Sequence, residues 1–297
     1  MITKLLTPVL AAALVWPSPA QSQCIGYVRR GDVFIRCTSG GTQVTRGHRV
    51  ESFAVSPTGS ALVLQHKDER GRTLEVVSLA DGVSTSRPTR TGTLDVKQSC
   101  GTVIVREQAD ESKTYQVRDV LTDKLLSKPP YREFACSIDQ EAVIGVTGTP
   151  ARLMAGLTPP EEIKVIEHDN LVGFAISPDG KYLAYTTPDM GFNLCIRTYS
   201  RDAQFCKDVG TYPFGSLSIY ETGHLLYTLS DDRCWYGNSL RSKANDCFEV
   251  REWRPGLEKA AKVTLGVYPV WLSDVQATAL IRFARESKNS SNRKSEQ

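Results

Sequence analysis

The sequence is poor in the residues and motifs on which common catalytic sites are built. It has 4 histidines in 297 residues. It contains no Gly-x-Ser-x-Gly elbow, no His-Glu-x-x-His motif, no phosphate-binding loop and no dinucleotide fingerprint. These absences exclude the enzyme classes that the motifs define, and they favour a protein that is not an enzyme.

The sequence also lacks a dominant charge and, after its first residues, a long apolar run. The 36 basic and 33 acidic residues nearly cancel, giving a formal net charge of +3. No basic stripe that could follow a nucleic-acid duplex is visible. A membrane-spanning helix needs about 20 consecutive apolar residues, and no later segment provides them. We therefore expect neither nucleic-acid binding nor membrane insertion.

Residues 1–23 have the pattern of a secretory signal peptide. Lys4 supplies a positive charge, residues 5–16 form an apolar core, and the small residues at 18–20 offer a cleavage site. Two prolines interrupt the run too early for a membrane anchor. The pattern predicts a periplasmic or secreted protein.

The stretch that organises the rest of the chain is a predicted hairpin over 174–185, FAISPDGKYLAY. Pro178 fixes φ for a tight turn, Asp179 can bond its own backbone, and Gly180 tolerates the left-handed conformation. Apolar residues alternate before the turn and are dense after it. This pattern is typical of inner strands that are covered on both faces.

Similar hairpins recur at intervals near 40 residues. Residues 53–64 are a near copy and residues 134–140 repeat the frame, while three weaker copies begin near Leu94, Leu217 and Trp271. The turns fall at positions 59, 101, 140, 180, 223 and 276. Repeats of this length, each rich in short strands, are typical of propeller blades of about four strands. The sequence therefore predicts an all-β, six-bladed β-propeller with antiparallel blades.

The last repeat has too little chain after it for a whole blade, because residues 282–285 are followed only by polar residues. The missing outer strands are predicted to come from a hairpin formed by 25–29 and 32–36. Ring closure by these N-terminal strands would remove exposed sheet edges. We expect one propeller domain over 24–285 and a disordered polar tail over 286–297.

A family resemblance follows from the repeated turn. The Ser-Pro-Asp-Gly sequence at 177–180, followed by Tyr-Leu-Ala-Tyr at 182–185, resembles the WD-repeat-like blades of TolB-type six-bladed propellers. The shared period covers residues 25–285. The resemblance implies the propeller fold and a habit of binding, and it does not imply one particular reaction.

The 8 cysteines suggest disulfides, because an even count in an exported chain is typical of a disulfide framework. No Cys-x-x-Cys pair occurs, so the alternative of a zinc site is disfavoured. In the predicted blades, two pairs would bridge neighbouring outer strands, one would join inner hairpins of adjacent blades, and one would bracket a polar insertion. The predicted pairs are Cys24–Cys37, Cys195–Cys206, Cys100–Cys136 and Cys234–Cys247.

The polar insertion over 230–247 accounts for the longest gap between turns. It lies between the second and third strands of the fifth blade, where it would project from one rim of the disc. A disulfide there would present residue types that are enriched at binding hot spots. The alternative is that the aromatic rings pack down onto the blade. The candidate partner-binding residues of the insertion are Arg233, Trp235, Tyr236 and Arg241.

Three loops that enter inner strands on the same face each carry a tyrosine: Tyr131, Tyr212 and Tyr268. These rings could form an aromatic rim around the central channel, beside the insertion. Alternatively, each ring is wedged between blades, since aromatic side chains dominate core burial.

Two further kinds of site would lie near the inner-strand entrances. His48 and His168 precede the first and fourth inner strands and could face each other across the channel mouth. Six-bladed lactonases and related hydrolases hold calcium in the channel with carboxylate and amide oxygens. Charged residues at blade entrances are commonly only solvated. The possible calcium ligands are Glu51, Asp169 and Asn170, with Asp95 and Glu133.

The sequence thus predicts an exported, monomeric, non-catalytic β-propeller that needs no cofactor and binds a protein or peptide on one disc face. The alternatives are a calcium-dependent, lactonase-like hydrolase and a structural envelope component.

Overall fold

The computed structural model describes residues 23–68, 71–89, 96–109, 114–128, 131, 133–148, 152–156, 160–165, 173–187, 192–200, 203–210, 214–230 and 247–295. Within these ranges the chain forms six sheets, each of four antiparallel strands, and one helix near the C-terminus. The sheets are the blades of a ring, which confirms the predicted six-bladed β-propeller.

Both ends of the chain build the blade that closes the ring. Its strands are β1 (Cys24–Arg29), β2 (Asp32–Cys37), β3 (Gly40–Gln43) and the last strand, β24 (Val267–Leu272). They pair in the order β24-β1-β2-β3, with Cys24 opposite Leu272 and Ile25 opposite Trp271. The predicted closure by N-terminal strands is confirmed. We call this sheet blade 6.

The other five blades are continuous in sequence. Blade 1 contains β4 (Val50–Val55), β5 (Ala61–Asp68), β6 (Gly71–Ser78) and β7 (Ser84–Pro88). Blade 2 contains β8 (Val96–Ser99), β9 (Thr102–Ala109), β10 (Thr114–Asp119) and β11 (Leu125–Leu126). Blade 3 contains β12 (Glu133–Cys136), β13 (Val143–Thr147), β14 (Arg152–Ala155) and β15 (Glu161–Val165). Blade 4 contains β16 (Phe174–Ile176), β17 (Tyr182–Thr187), β18 (Asn193–Thr198) and β19 (Gln204–Asp208). Blade 5 contains β20 (Phe214–Ile219), β21 (Leu225–Ser230), β22 (Phe248–Trp253) and β23 (Ala261–Leu265).

The repeated turn has the chemistry that its sequence predicts. In blade 4, Ser177 Oγ accepts a hydrogen bond from the Tyr182 N–H at 3.0 Å and donates one to Asp179 Oδ1 at 2.7 Å. The Gly180 N–H donates to Ser177 O at 2.9 Å, and the φ of Gly180 is +73°. Five of the six predicted turn positions have positive φ, namely Gly59, Gly101, Gln140, Gly180 and Gly223.

The C-terminal segment differs from the prediction. The expected inner hairpin with its turn near Gln276 is wrong, because helix α1 (Asp274–Ser295) follows β24 directly. Residues 286–295, expected in a disordered tail, belong to this helix. Ser273 and Gln276 form a capping box: the Gln276 N–H donates to Ser273 Oγ at 3.3 Å, and the Ser273 N–H donates to Gln276 Oε1 at 2.9 Å. Such a box satisfies two backbone donors that would otherwise have no partner, so the chain begins a helix instead of a second strand.

Helix α1 packs at the junction of blades 6 and 1. Its Ala277 and Leu280 are buried in the same core cluster as Val28 of β1 and Phe53 of β4, and Phe283 packs against the edge of that cluster. Elsewhere, side chains of neighbouring blades share comparable clusters. In the described part of the chain, no helix has both the length and the apolar character to cross a bilayer.

Three of the four predicted disulfides are confirmed: Cys24–Cys37, Cys100–Cys136 and Cys195–Cys206. The first and third bridge strands of one blade, and the second joins the inner hairpins of blades 2 and 3. For the fourth pair, Cys234 lies outside the described residues, while Cys247 is disulfide-bonded. The predicted strand positions of the cysteines were sufficient to assign the three pairs, because bonded cysteines must lie within a few ångströms of each other.

Candidate functional site

The two faces of the disc carry different connections between strands. On one face, each continuous blade turns from its first to its second strand and from its third to its fourth strand. We call this the hairpin face. The opposite side, where the chain enters each first strand, is the entry face.

The inner strands of blades 2 to 6 line a central cavity of about 70 Å³. Most of its lining is apolar or small, including Ala135, Ile176, Ile219 and Val270. Lys97 is the only charged residue among the described lining residues, and its Nζ lies 4.8 Å from the centre of the Phe174 ring. The channel is therefore narrow, mainly apolar and weakly positive.

The cavity reaches the hairpin face, because its lining includes turn residues Gly101, Ile138 and Pro178. The Ile138 N–H donates a hydrogen bond to Pro178 O at 2.9 Å, and Gln140 Nε2 donates to Cys100 O at 3.3 Å. These bonds link the turns of blades 2, 3 and 4. The turns at the mouth are thus joined to one another, and Ile138 is 49% exposed there.

Large exposed apolar side chains are concentrated on this face. Of the seven in the described residues, five lie in its turns or at the start of α1. These five are Val83, Leu121, Ile138, Leu257 and Val275.

The structure describes two of the three tyrosines of the predicted aromatic rim, Tyr131 and Tyr268. Tyr131 is 7% exposed, packs with residues of blades 2 and 3, and donates a hydrogen bond to Gly156 O. Burial raises the pKa of its hydroxyl. Tyr131 is therefore wedged between blades and does not contribute an exposed ring. Tyr268 is half-buried, with a φ of +52°, and packs against the core cluster of blades 6 and 1.

The remaining partner-binding candidates lie outside the described residues. They are Tyr212, Arg233, Trp235, Tyr236 and Arg241.

The described candidates for calcium ligands are engaged by arginines. Glu51 Oε2 lies 2.6 Å from Arg72 Nε, and Glu133 Oε2 lies 2.5 Å from Arg106 Nη1. Each arginine offers charge and hydrogen bonds that compete directly with a metal ion. The other predicted ligands, Asp95, Asp169 and Asn170, lie outside the described residues.

Two histidines that the sequence did not pair lie together. His48 and His66 have ring centres 5.9 Å apart, and His66 Nε2 lies 2.8 Å from Glu75 Oε2. The predicted partner of His48, His168, lies outside the described residues. Sequence reasoning missed this cluster because it depends on the register between β5 and β6. The signal in the sequence was a His and a Glu on consecutive strands, at positions that become diagonal neighbours when the strands pair.

The blades and the narrow channel define the class of this protein, a six-bladed β-propeller. No protein-family model and no curated protein matches the sequence. Among solved structures, TolB from Acinetobacter baumannii matches with a TM-score of 0.60 and 14% identity, over 84% of this chain and 66% of that one. A chain from a nidogen/laminin complex matches with a TM-score of 0.55 and 10% identity, over 84% and 98%. A putative 6-phosphogluconolactonase from Bacteroides fragilis matches with a TM-score of 0.50 and 9% identity, over 86% and 99%.

At these identities the similarity shows the fold alone. It confirms the resemblance to TolB-type propellers at that level. It does not distinguish a binding protein from an enzyme, so the choice depends on the surface chemistry of this chain.

Proposed function

We propose that this protein is an exported, non-catalytic β-propeller that binds a protein or peptide partner with one face of its disc. The observation that carries the proposal is the hairpin-face mouth of the channel. There a narrow apolar recess opens beside the exposed side chain of Ile138.

The size of the channel argues against a small-molecule substrate. Pockets that enclose small molecules commonly measure about 300 to 1,000 Å³, whereas this cavity measures about 70 Å³. A partner that lies across the mouth needs no deep pocket, because it can bury apolar side chains of the surface. We therefore favour surface binding over enclosure of a substrate.

The occupant that best fits this mouth is an extended peptide segment of another exported protein. Its anchor would be apolar, to match the lining. A basic anchor would be repelled by Lys97, which lies deeper in the channel, near the start of β8. The nidogen/laminin neighbour comes from a protein–protein complex, which is an example of a propeller of this architecture in such an assembly.

Export is supported by the disulfides. Three lie within the described residues, and bonds of this kind persist in the periplasm and outside the cell. The signal-peptide pattern of residues 1–23 agrees with this proposal.

The test is a selection of random peptides, displayed on phage, against the immobilised mature and oxidised protein. Selected peptides are synthesised with a fluorophore and titrated by fluorescence anisotropy. We expect peptides with an apolar anchor and few basic residues. The Ile138→Asp variant should bind them about tenfold more weakly, equivalent to about 1.4 kcal/mol.

Leu257→Asp is the matched control, because Leu257 is also exposed on the hairpin face but does not line the cavity. It should leave the affinity unchanged. A loss of binding in Trp235→Ala and not in Ile138→Asp would move the site to the insertion and overturn the proposed face. The proposal would be contradicted if no selected peptide bound more weakly to either Ile138→Asp or Trp235→Ala than to the parent protein.

The calcium-dependent hydrolase is tested separately, by calorimetric unfolding with calcium chloride or with a chelator. We expect the same unfolding temperature in both. A temperature that rises with the logarithm of the calcium concentration would indicate a site formed only in the folded protein. If Asp169→Ala or Asn170→Ala abolished that rise, the prediction that the protein needs no metal would be overturned. Lactone hydrolysis by the calcium-loaded protein would then overturn the non-catalytic proposal.

A further inference from the structure

A second cavity, of about 370 Å³, lies at the side of the propeller, where blades 1 and 6 meet helix α1. Its lining includes His48, Glu75, Arg46, Phe283 and Lys288. It is distinct from the central channel, and its volume is within the range of ligand pockets. The groups that line it are therefore candidates for a binding site unrelated to the proposed docking face.

Two of the residues that line this cavity, His48 and Glu75, form a cluster of metal-ligating side chains with a third residue, His66. One ligand atom from each of His48, His66 and Glu75 lies within 4.8 Å of the other two. His66 and Glu75 are each 18% exposed at the side chain, so they are partly shielded from water while remaining reachable. All three residues belong to blade 1 or to the loop that enters it: His48 lies in that loop, His66 in β5 and Glu75 in β6.

The β5–β6 pairing brings two of these side chains together. His66 lies opposite Thr73, and Glu75 lies opposite Leu64, which makes His66 and Glu75 diagonal neighbours on one face of the sheet. His66 Nε2 and Glu75 Oε2 are 2.8 Å apart. The sheet register therefore holds an imidazole and a carboxylate in place before any ion arrives.

The third side chain, His48, is positioned by the loop that enters blade 1. The Asp32 carboxylate accepts hydrogen bonds from the His48 N–H at 3.2 Å and from Thr45 Oγ1 at 3.1 Å. Gly31, with a φ of +77°, lies beneath the same loop, and a Cβ there would be 2.7 Å from the carbonyl oxygen of His48. The backbone that carries the exposed His48 ring is thus fixed by the turn of the N-terminal hairpin.

We propose that His48, His66 and Glu75 form a binding site for a divalent transition-metal ion of the zinc type. Two imidazoles and one carboxylate are a donor set of open zinc sites, in which a fourth position takes water or another ligand. Imidazole nitrogens favour zinc and its neighbours over calcium and magnesium, which prefer oxygen ligands.

The geometry requires only small movements. In a tetrahedral zinc site, ligand atoms are separated by about 3.4 Å, given metal–ligand distances near 2.0 to 2.2 Å. His66 and Glu75 would separate slightly, and the exposed ring of His48 would move inward. The fourth position would open to the cavity, where Arg46 and Lys288 favour an anionic ligand such as hydroxide or a carboxylate.

The test is titration of the mature, oxidised protein, without a polyhistidine tag, with zinc chloride in a calorimeter. We expect one ion per chain. In a parallel titration, Co²⁺ should produce the visible absorption of a four-coordinate site. Each of His48→Ala, His66→Ala and Glu75→Gln should weaken binding by at least about tenfold.

His224→Gln is the matched control, because His224 Nδ1 also lies near a carboxylate, 3.1 Å from Glu252 Oε1, but outside the cluster. It should bind zinc as the parent protein does. His48→Ala keeps the test decisive if the other substitutions disturb folding, since its ring is exposed and circular dichroism reports the fold. Zinc binding that is absent, or that is unchanged in His48→Ala, would overturn the proposal.

Discussion

The side-chain amides of Gln276 and Gln98 are joined by a hydrogen bond, with 2.7 Å between Nε2 of the first and Oε1 of the second. Gln276 is in the first turn of helix α1, and Gln98 is in the inner strand of blade 2. The same Nε2 also donates to the backbone oxygens of Val55 and Ser56, at 3.2 and 3.0 Å. One side chain therefore connects the C-terminal helix with blades 1 and 2.

Replacing Gln276 by alanine should lower the free energy of unfolding by about 2 to 3 kcal/mol, because buried backbone oxygens lose a donor and the helix loses half of its capping box. Gln276 is 2% exposed, so water cannot readily replace the amide. Urea denaturation, followed by circular dichroism, measures the change. Thr278→Ala, at an exposed position of the same helix, is the control and should change stability by less than about 0.5 kcal/mol. Equal effects of the two substitutions would contradict this account.

The interblade disulfide Cys100–Cys136 should contribute more stability than the two hairpin disulfides. It closes a loop of 36 residues, against 13 for Cys24–Cys37 and 11 for Cys195–Cys206. Chain-entropy arithmetic gives about 4 kcal/mol for the longest loop and about 3 kcal/mol for each of the others. Paired alanine substitutions, compared by guanidinium denaturation, test the order. A larger loss for the Cys195–Cys206 pair would show that strand pairing, and not chain entropy, sets these contributions.

Gly180→Ala should destabilise the repeated turn more than Gly256→Ala destabilises its own. Both glycines have positive φ, at +73° and +82°, so each alanine incurs a cost of about 1 to 2 kcal/mol. At Gly180 the added Cβ would also lie 2.8 Å from the Cβ of Ala142, whereas nothing lies within 4 Å at Gly256. The overpacking should add about 1 to 3 kcal/mol at Gly180. Thermal unfolding of the two variants measures the difference, and equal unfolding temperatures would exclude the close approach to Ala142.

Tyr131→Phe should lower the free energy of unfolding by about 1 kcal/mol at neutral pH, because the carbonyl of Gly156 loses a donor. Burial raises the pKa of Tyr131 in the folded protein above that of a solvated tyrosine. The stability contributed by the neutral hydroxyl is therefore complete below about pH 10, the pKa of the unfolded chain, and declines as the pH rises further.

The parent protein should accordingly lose more stability than Tyr131→Phe between pH 9 and about pH 10.5. Urea denaturation at both pH values measures this difference. Parallel losses in the two proteins would indicate that Tyr131 ionises as readily when folded as when unfolded. Peptide affinity at pH 7 should be the same in both, since the ring lies between blades.

The ring of blades could be predicted because its determinants are local and repeated. The turn around Gly180 has the same serine and left-handed residue as the turns around Gly59 and Gln140, so one well-read hairpin identified the others. The disulfide pairs could be predicted for the same reason, because the repeat shows which strand of which blade carries each cysteine.

The helix could not be found by extending that repeat. Extension of the repeat predicts a turn at position 276, although Ser273 and Gln276 have the spacing of a capping box. Ala277, Leu280 and Ala284 also recur at helical spacing. The burial of Tyr131 and the meeting of His48 with Glu75 depend on which elements are neighbours in space. Neither can be read from sequence separation alone.

The closing blade also sets an order of events for the newborn chain. Strands β1 to β3 are synthesised before the other strands of the ring, but β1 pairs with β24, the last of these strands to be made. Until then, one edge of β1 has open backbone donors and acceptors, a state that invites pairing with other chains. Contacts between such distant segments form slowly. The whole ring thus becomes protected only when its last strand arrives, and a chain that ends before Val267 would keep that edge exposed indefinitely.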